Sequence, residues 1–184
     1  MRNSKNGSFK ELCGSCKHQG CCTSFASPLV FSRDLENLEN IGKAGDEFLR
    51  EITIRGQRVT TIRKKTNSNT CTFWDDDKHV CSIYENRPFD CRMYPFDIYM
   101  IDGKYTWIVY SCNPESKWQW SETHLKMLEN DERFYEVMRN IEAFSDLSEI
   151  DVIMKGHNLP YTILREVNCE KSTKQKLEAQ NCLS

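Results

Sequence analysis

At 184 residues the chain is long enough for one domain with a real core, or for a small domain with a helical appendage. Its 25 basic and 27 acidic residues are nearly balanced, which argues against nucleic acid as a partner. No apolar run approaches the about 18 residues of a membrane span, and the polar stretch Met1 to Ser8 leads into no secretory h-region. A cytoplasmic protein with no membrane association is therefore expected.

In chain order, residues 1–12 read as a disordered lead-in rich in Asn, Ser, Lys and Gly. A cysteine-rich loop from Cys13 to Cys22 follows. Ser32 is the expected N-cap of a helix carrying Leu35, Leu38 and Ile41 and ended by Gly42. A second helical piece is expected near Gly45, with Phe48 and Leu49. Ile52–Ile54 and Val59–Ile62 read as strands joined through Arg55-Gly56-Gln57-Arg58. The run Arg63-Lys64-Lys65 reads as a solvated strand end. Cys71–Trp74 and Val80–Tyr84 read as strands around an aspartate-rich turn at Asp75-Asp76-Asp77. Arg87-Pro88 begins a tight turn or short helix, with proline suited to the first helical position. Phe96–Ile101 and Tyr105–Tyr110 alternate around Asp102-Gly103, a hairpin signal, and Cys112 closes the last strand. From Ser121 the spacing of Leu125, Leu128, Tyr135, Met138 and Ile141 is helical, with a break at Asn130-Asp131. Residues 147–167 read as mixed helix and loop, and the tail from 169 to 184 as polar and frayed.

Eight of the ten cysteines carry the chemistry. The first four are spaced C-x2-C-x4-C-C (Cys13, Cys16, Cys21, Cys22), and the second four C-x9-C-x9-C-x20-C (Cys71, Cys81, Cys91, Cys112). In a reducing cytosol clustered thiols favour metal over disulfides. A C-x2-C knuckle suits one metal ion. The adjacent pair Cys21-Cys22 differs, because in an extended backbone neighbouring side chains point to opposite sides. Such a pair chelates one ion poorly but can serve two centres, so one of the two could cross to the second ligand set. The vicinal pair, the lack of a second knuckle and the all-cysteine set favour iron–sulfur, with zinc the alternative.

The run Cys81-Ser82-Ile83-Tyr84-Glu85-Asn86-Arg87-Pro88, continued by Cys91-Arg92-Met93-Tyr94-Pro95-Phe96, resembles the YkgJ-like cysteine-cluster family when taken with the other six cysteines in order. The likeness covers about residues 10–115. It implies zinc or iron chelation, or an iron–sulfur cluster, held by the eight cysteines. The four-residue gap between Cys16 and Cys21 is one longer than the three usual in many members. Larger relatives with a similar cysteine cluster include flagellin lysine methylases, so the resemblance also admits an enzyme modifying a protein or peptide by methyl or sulfur transfer. It does not extend to Cys169 and Cys182, which read as thiols of the tail.

Arg87 and Arg92 flank Cys91. They could offset the charge of a thiolate-rich centre, bind an anionic substrate, or simply pair with Glu85 or Asp90. Tyr84, Tyr94, Phe96, Trp107 and Tyr110 read as core and as shielding for the cluster. Trp118 and Trp120 read as anchors for the C-terminal helices. His18 lies inside the first cluster and could ligate or hydrogen-bond a sulfur. His79, His124 and His157 read as solvent-facing. No nucleophile–base motif and no phosphate loop is present in the sequence, so no catalytic residue is assigned.

The expected fold is α+β: a metal-organised domain of hairpins and short helices over residues 13–120, and a helical C-terminal region over 121–168. The expected function is metal binding, with iron–sulfur chemistry in electron transfer, assembly or support of a protein partner. A structural zinc module is the alternative.

Overall fold

The computed structural model describes residues 20–23, 27–54, 56–110, 121–144 and 161–168. The fold is α+β, with short helices and small antiparallel sheets. The expected lead-in, the polar tail, His18, His157, Trp118, Trp120, Cys13, Cys16, Cys112, Cys169 and Cys182 lie outside the described residues.

The first element is a helical turn, α1 (Gly20–Thr23), where a loop was expected. Cys21 and Cys22 thus sit on helical rather than extended backbone. The expectation for the vicinal pair assumed an extended backbone, which these two positions do not have.

Helix α2 (Ser32–Asn40) buries Asp34 and Leu38, one turn apart on one face. Ser32 is not its cap; Phe31 holds that position. The Phe31 N–H instead donates to Asp34 Oδ2 at 3.3 Å, so the third helical residue reaches back to the helix entry. The exit is a Schellman motif. Gly42, at φ 66°, donates to the Glu39 carbonyl, and Lys43 donates to that of Leu38.

The helix expected near Gly45 is a single turn. Phe48 and Leu49 both donate to the Gly45 carbonyl, and Leu49 already begins strand β1 (Leu49–Ile54). Strand β2 (Gln57–Ile62) pairs with β1 in register from Leu49↔Ile62 to Ile54↔Gln57. The expected four-residue connection is therefore shorter, because β2 already begins at Gln57, and Gly56 stands at φ 81°. Leu29 bridges Thr61 on the other side of β2, so the hairpin gains a third, very short partner.

Strands β3 (Trp74–Asp75) and β4 (Val80–Cys81) are two residues each. The Asp75 carboxylate closes their turn by accepting the N–H groups of Asp77 and Lys78 at 3.1 and 3.0 Å. The aspartate run is thus a turn, as its sequence suggests. A 3₁₀ turn, Tyr84–Asn86, precedes helix α3 (Phe89–Met93), in which Pro88 is the N-cap rather than the first helical residue.

Strands β5 (Phe96–Ile101) and β6 (Lys104–Tyr110) form the hairpin expected at Asp102-Gly103. Both turn residues have positive φ, 51° and 77°, as a two-residue hairpin turn of the primed type requires. Helices α4 (Ser121–Glu129) and α5 (Glu132–Phe144) break at Asn130-Asp131 as expected. The final element corrects the mixed helix and loop expected over residues 147–167 within the described part of that stretch, at 161–166. Tyr161–Glu166 is a strand, β7, antiparallel to β6, giving a sheet ordered β5-β6-β7.

Alternation places Phe96, Ile98, Trp107 and Val109 on one face of this sheet. They pack with Leu125, Leu128 and Phe134 of the helices and with Phe31, Phe89 and Met93. Trp107 stacks on Phe134 at 5.7 Å and is fully buried. Each such side chain withdrawn from water contributes about 1.5–3 kcal/mol. A second core forms from Val30, Leu38, Leu49, Ile62, Cys71, Phe73, Trp74 and Ile83. Its contents position the candidate site.

Candidate metal centre

Cys71 is buried within the second core, and Cys22, Cys81 and Cys91 pack against that core. They arrive from four separate pieces of backbone: α1, the segment after β2, β4 and α3. None of the four forms a disulfide.

Cys71 forms an isolated antiparallel bridge with Lys64. Lys65 donates to the Thr70 carbonyl at 2.8 Å and Thr72 to that of Arg63 at 3.1 Å. The hydrogen bonds therefore flank the pair, so Lys64 and Cys71 are a non-hydrogen-bonded pair, the kind whose side chains stand closest. The Cys71 N–H is consequently turned away from Lys64. It donates to the Cys22 carbonyl at 2.7 Å, which fastens the first cysteine segment to the second.

Cys81 lies opposite Trp74 in the β3–β4 pair. The adjacent Ser82 locks this hairpin by donating both its N–H and its hydroxyl to the Phe73 carbonyl, at 2.8 and 2.9 Å. Cys91 sits in the middle of α3, whose entry is held from two sides. Asp34 Oδ1 accepts the Phe89 N–H at 3.1 Å, and Asp90 Oδ2 accepts the Leu29 N–H at 2.8 Å. Burial pushes the Asp90 carboxyl up to about 6, reinforced by the charges of Asp97 and Asp34 and opposed by the Leu29 N–H.

Asp34 ties this arrangement to the C-terminal helices. Its Oδ1 also accepts Arg133 Nη1 at 3.0 Å, while Arg133 binds Asp131 through Nε and Nη2 at 2.8 and 2.6 Å. Sequence reasoning missed Asp34 entirely. Beyond the Phe31 N–H three residues before it, its partners are 55 and 99 residues away, out of reach of any local signal.

The arginines flanking Cys91 make contacts that were not expected of them. The Arg87 guanidinium lies 4.1 Å from the Tyr84 ring centroid, and Arg92 reaches Asp131 at 4.0 Å. Half-buried Lys64 instead lies within electrostatic reach of the thiols. Burial holds its ammonium below the usual lysine range, and Cys71, Cys22 and Cys91 oppose that shift. The alternation of Arg63, Lys64 and Lys65 was the available signal. Arg63 Nε donates to the Leu49 carbonyl at 2.7 Å and Lys65 Nζ reaches Asp76 at 2.6 Å, while the residue between them takes the opposite side.

His124, expected at the surface, is buried. Its ring packs 5.3 Å from that of Phe96, and Nε2 lies 3.3 Å from the Arg92 carbonyl oxygen. Burial pushes its pKa down to about 4. His79 is exposed, in line with its expected place on a turn. The expected aromatic shielding is also redistributed. Around the described cysteines it comes from Phe73 and Trp74, whereas Phe96 and Trp107 belong to the other core and Tyr110 to a third cluster with Tyr99.

The donor set suits a soft metal, because thiolates select zinc, copper(I) and iron–sulfur clusters. Among the described residues no three His, Cys, Asp or Glu side chains form a group that could hold an ion. The described thiols therefore share one core without closing a coordination sphere by themselves. Cys13, Cys16, Cys112 and the side chain of Cys21 lie outside the described set.

A family model described as "Putative zinc- or iron-chelating domain" matches residues 12–113, more than half of the chain. No curated protein and no solved structure matches it.

Proposed function

The chain belongs to the CxxCxxCC family of zinc- or iron-chelating domains, and we propose that it is an iron–sulfur protein whose eight cysteines serve two centres. Its role in this reading is electron transfer, cluster assembly or support of a partner protein in the cytoplasm. The observation that carries the reading is the gathering of Cys22, Cys71, Cys81 and Cys91 from four elements into one apolar core.

Cys22 crosses from its own sequence cluster to the second. Its carbonyl holds the Cys71 amide, and it shares a core with Cys71, Cys81 and Cys91. Cys13, Cys16, Cys21 and Cys112 are then the complementary set. The four thiols of the described core draw together as they ligate, since a metal site is rarely preformed in the chain alone. A cluster bound there supplies one-electron transfer at a potential set by charge, hydrogen bonding and exposure. The chain's own contribution is mechanical and dielectric. Asp34 and Asp90 fix the helix bearing Cys91, the Ser82 bonds fix the hairpin bearing Cys81, and Phe73, Trp74 and Ile83 exclude water.

Anaerobic purification followed by iron, acid-labile sulfide and zinc analysis tests the reading. A brown protein with iron and sulfide in equal amounts supports it; a colourless one with stoichiometric zinc overturns iron–sulfur in favour of a zinc module. Cys22→Ser and Cys71→Ser should remove the same fraction of bound metal, and the double variant no more than either single. Additive losses would refute the shared ligand set.

A further inference from the structure

We propose that Lys64 is a fixed cation beside the Cys22–Cys71 thiol pair, a positioning residue that offsets the negative charge of the metal–thiolate centre and strengthens its hold on metal. The inference rests on the metal-binding reading above and adds to it a residue outside the cysteine set.

A centre built from several thiolates around one metal carries net negative charge, and an apolar core stabilises that charge poorly. A nearby cation relieves the penalty. The two arginines beside Cys91 are the obvious candidates in the sequence, yet the Arg87 guanidinium lies over the Tyr84 ring and Arg92 reaches Asp131.

Lys64 is placed for the task by backbone geometry. It faces Cys71 across the bridge at a non-hydrogen-bonded position, where the two Cα atoms stand about 4.5 Å apart and the side chains share one face. The same geometry leaves the Cys71 amide to the Cys22 carbonyl, which brings the second thiol-bearing segment alongside. Lys64 is half-buried, so its charge is screened less than that of an exposed lysine. Its neighbours Arg63 and Lys65 face the other side, one bonding the Leu49 carbonyl and the other Asp76. A compact ammonium with three donors suits a group of several sulfurs better than a planar fork built for carboxylates.

The test uses the full chain, reduced and metal-free, titrated with Zn²⁺ against a chromophoric chelator. Wild type is compared with Lys64→Met, Lys64→Gln and Lys64→Arg, with circular dichroism confirming that each is folded. Both neutral variants should bind zinc about 10- to 100-fold more weakly, as expected for loss of an outer-shell partner. Lys64→Arg should retain the wild-type affinity to within a few-fold, a rescue by charge that shape alone would not produce. If one neutral variant fails to fold, the other carries the comparison. Neutral variants that bind zinc as tightly as wild type would overturn the proposal while leaving the metal reading intact. A wild-type chain that binds neither zinc nor iron would overturn both.

Discussion

Acidification from about pH 7 to about pH 4.5 should remove about 2.5 kcal/mol of folding stability through His124 alone. The imidazole is buried against Phe96, and no carboxylate is among the groups that shift it. Burial is the main cause holding its pKa near 4, and the nearby charges of Arg87 and Arg92 act in the same direction; the Arg92 carbonyl opposes them. In the unfolded chain the same ring titrates at about 6.5. The folded value is the lower one, so the unfolded state takes up the proton first as pH falls. Stability from this group is complete above about pH 6.5 and is lost progressively down to about pH 4. The full difference of about 2.5 pH units is worth about 3.4 kcal/mol, of which about 2.5 has gone by pH 4.5. Urea unfolding followed by tryptophan fluorescence, for wild type and His124→Gln across this range, isolates the term. Subtraction removes other titrations, among them that of Asp90, whose carboxyl lies near 6. The glutamine variant should be less stable at neutral pH through lost packing, yet its stability should fall less steeply by about 2.5 kcal/mol. Curves that stay parallel to within about 0.5 kcal/mol would refute the claim that His124 is buried uncharged.

Asp34→Ala removes the acceptor for two backbone N–H groups and one partner of a guanidinium that is itself only 9% exposed. It should cost about 3–5 kcal/mol, read as a lower urea midpoint at unchanged slope; a loss below about 1 kcal/mol would place the strength of this junction elsewhere. Glu129 accepts Trp107 Nε1 at 2.9 Å, Arg165 at 2.7 and 3.0 Å and the Asn168 N–H at 2.9 Å, joining α4 to β6 and to the end of β7. Glu129→Ala should therefore accelerate hydrogen exchange of the β7 amides about 10- to 100-fold while the β5–β6 hairpin keeps its protection.

Elements dictated by adjacent residues were legible in the sequence. Asp102-Gly103 can satisfy a two-residue turn with both φ values positive, and Asn130-Asp131 interrupts a helical period at the observed place. The same holds for the Schellman glycine at 42 and the aspartate turn at 75–78. Elements that depend on distant partners were not legible. Leu49 has no local reason to leave a helical turn; its pairing with Ile62 makes it a strand residue. Tyr161–Glu166 becomes a strand because β6 offers it an edge. His124 looks polar and isolated in the sequence, but its position on α4 turns it towards Phe96. For the site, the clustering of the cysteines was readable in the sequence, whereas the meeting of Cys22 with Cys71 depends on one long-range amide bond. Lys64 shows both sides of this divide. Period-two alternation singles it out from its neighbours, but only the bridge identifies what it faces.

The Asp34–Arg133 contact has a consequence for the autonomy of the family segment. The matched residues end at 113, and the cation that accompanies their most deeply buried carboxylate stands 20 positions further on. The Ser32 N–H, at the start of the same helix, donates to Glu136, also beyond that boundary. A chain stopped at residue 113 would keep every cysteine of the proposed ligand set and still enclose a carboxylate stripped of its counter-ion. Such a fragment would have every ligand but no settled interior. In this protein the stretch that names the family shares its interior with the helices beyond it, and the Asp34–Arg133 ion pair is one of the links that cross the boundary.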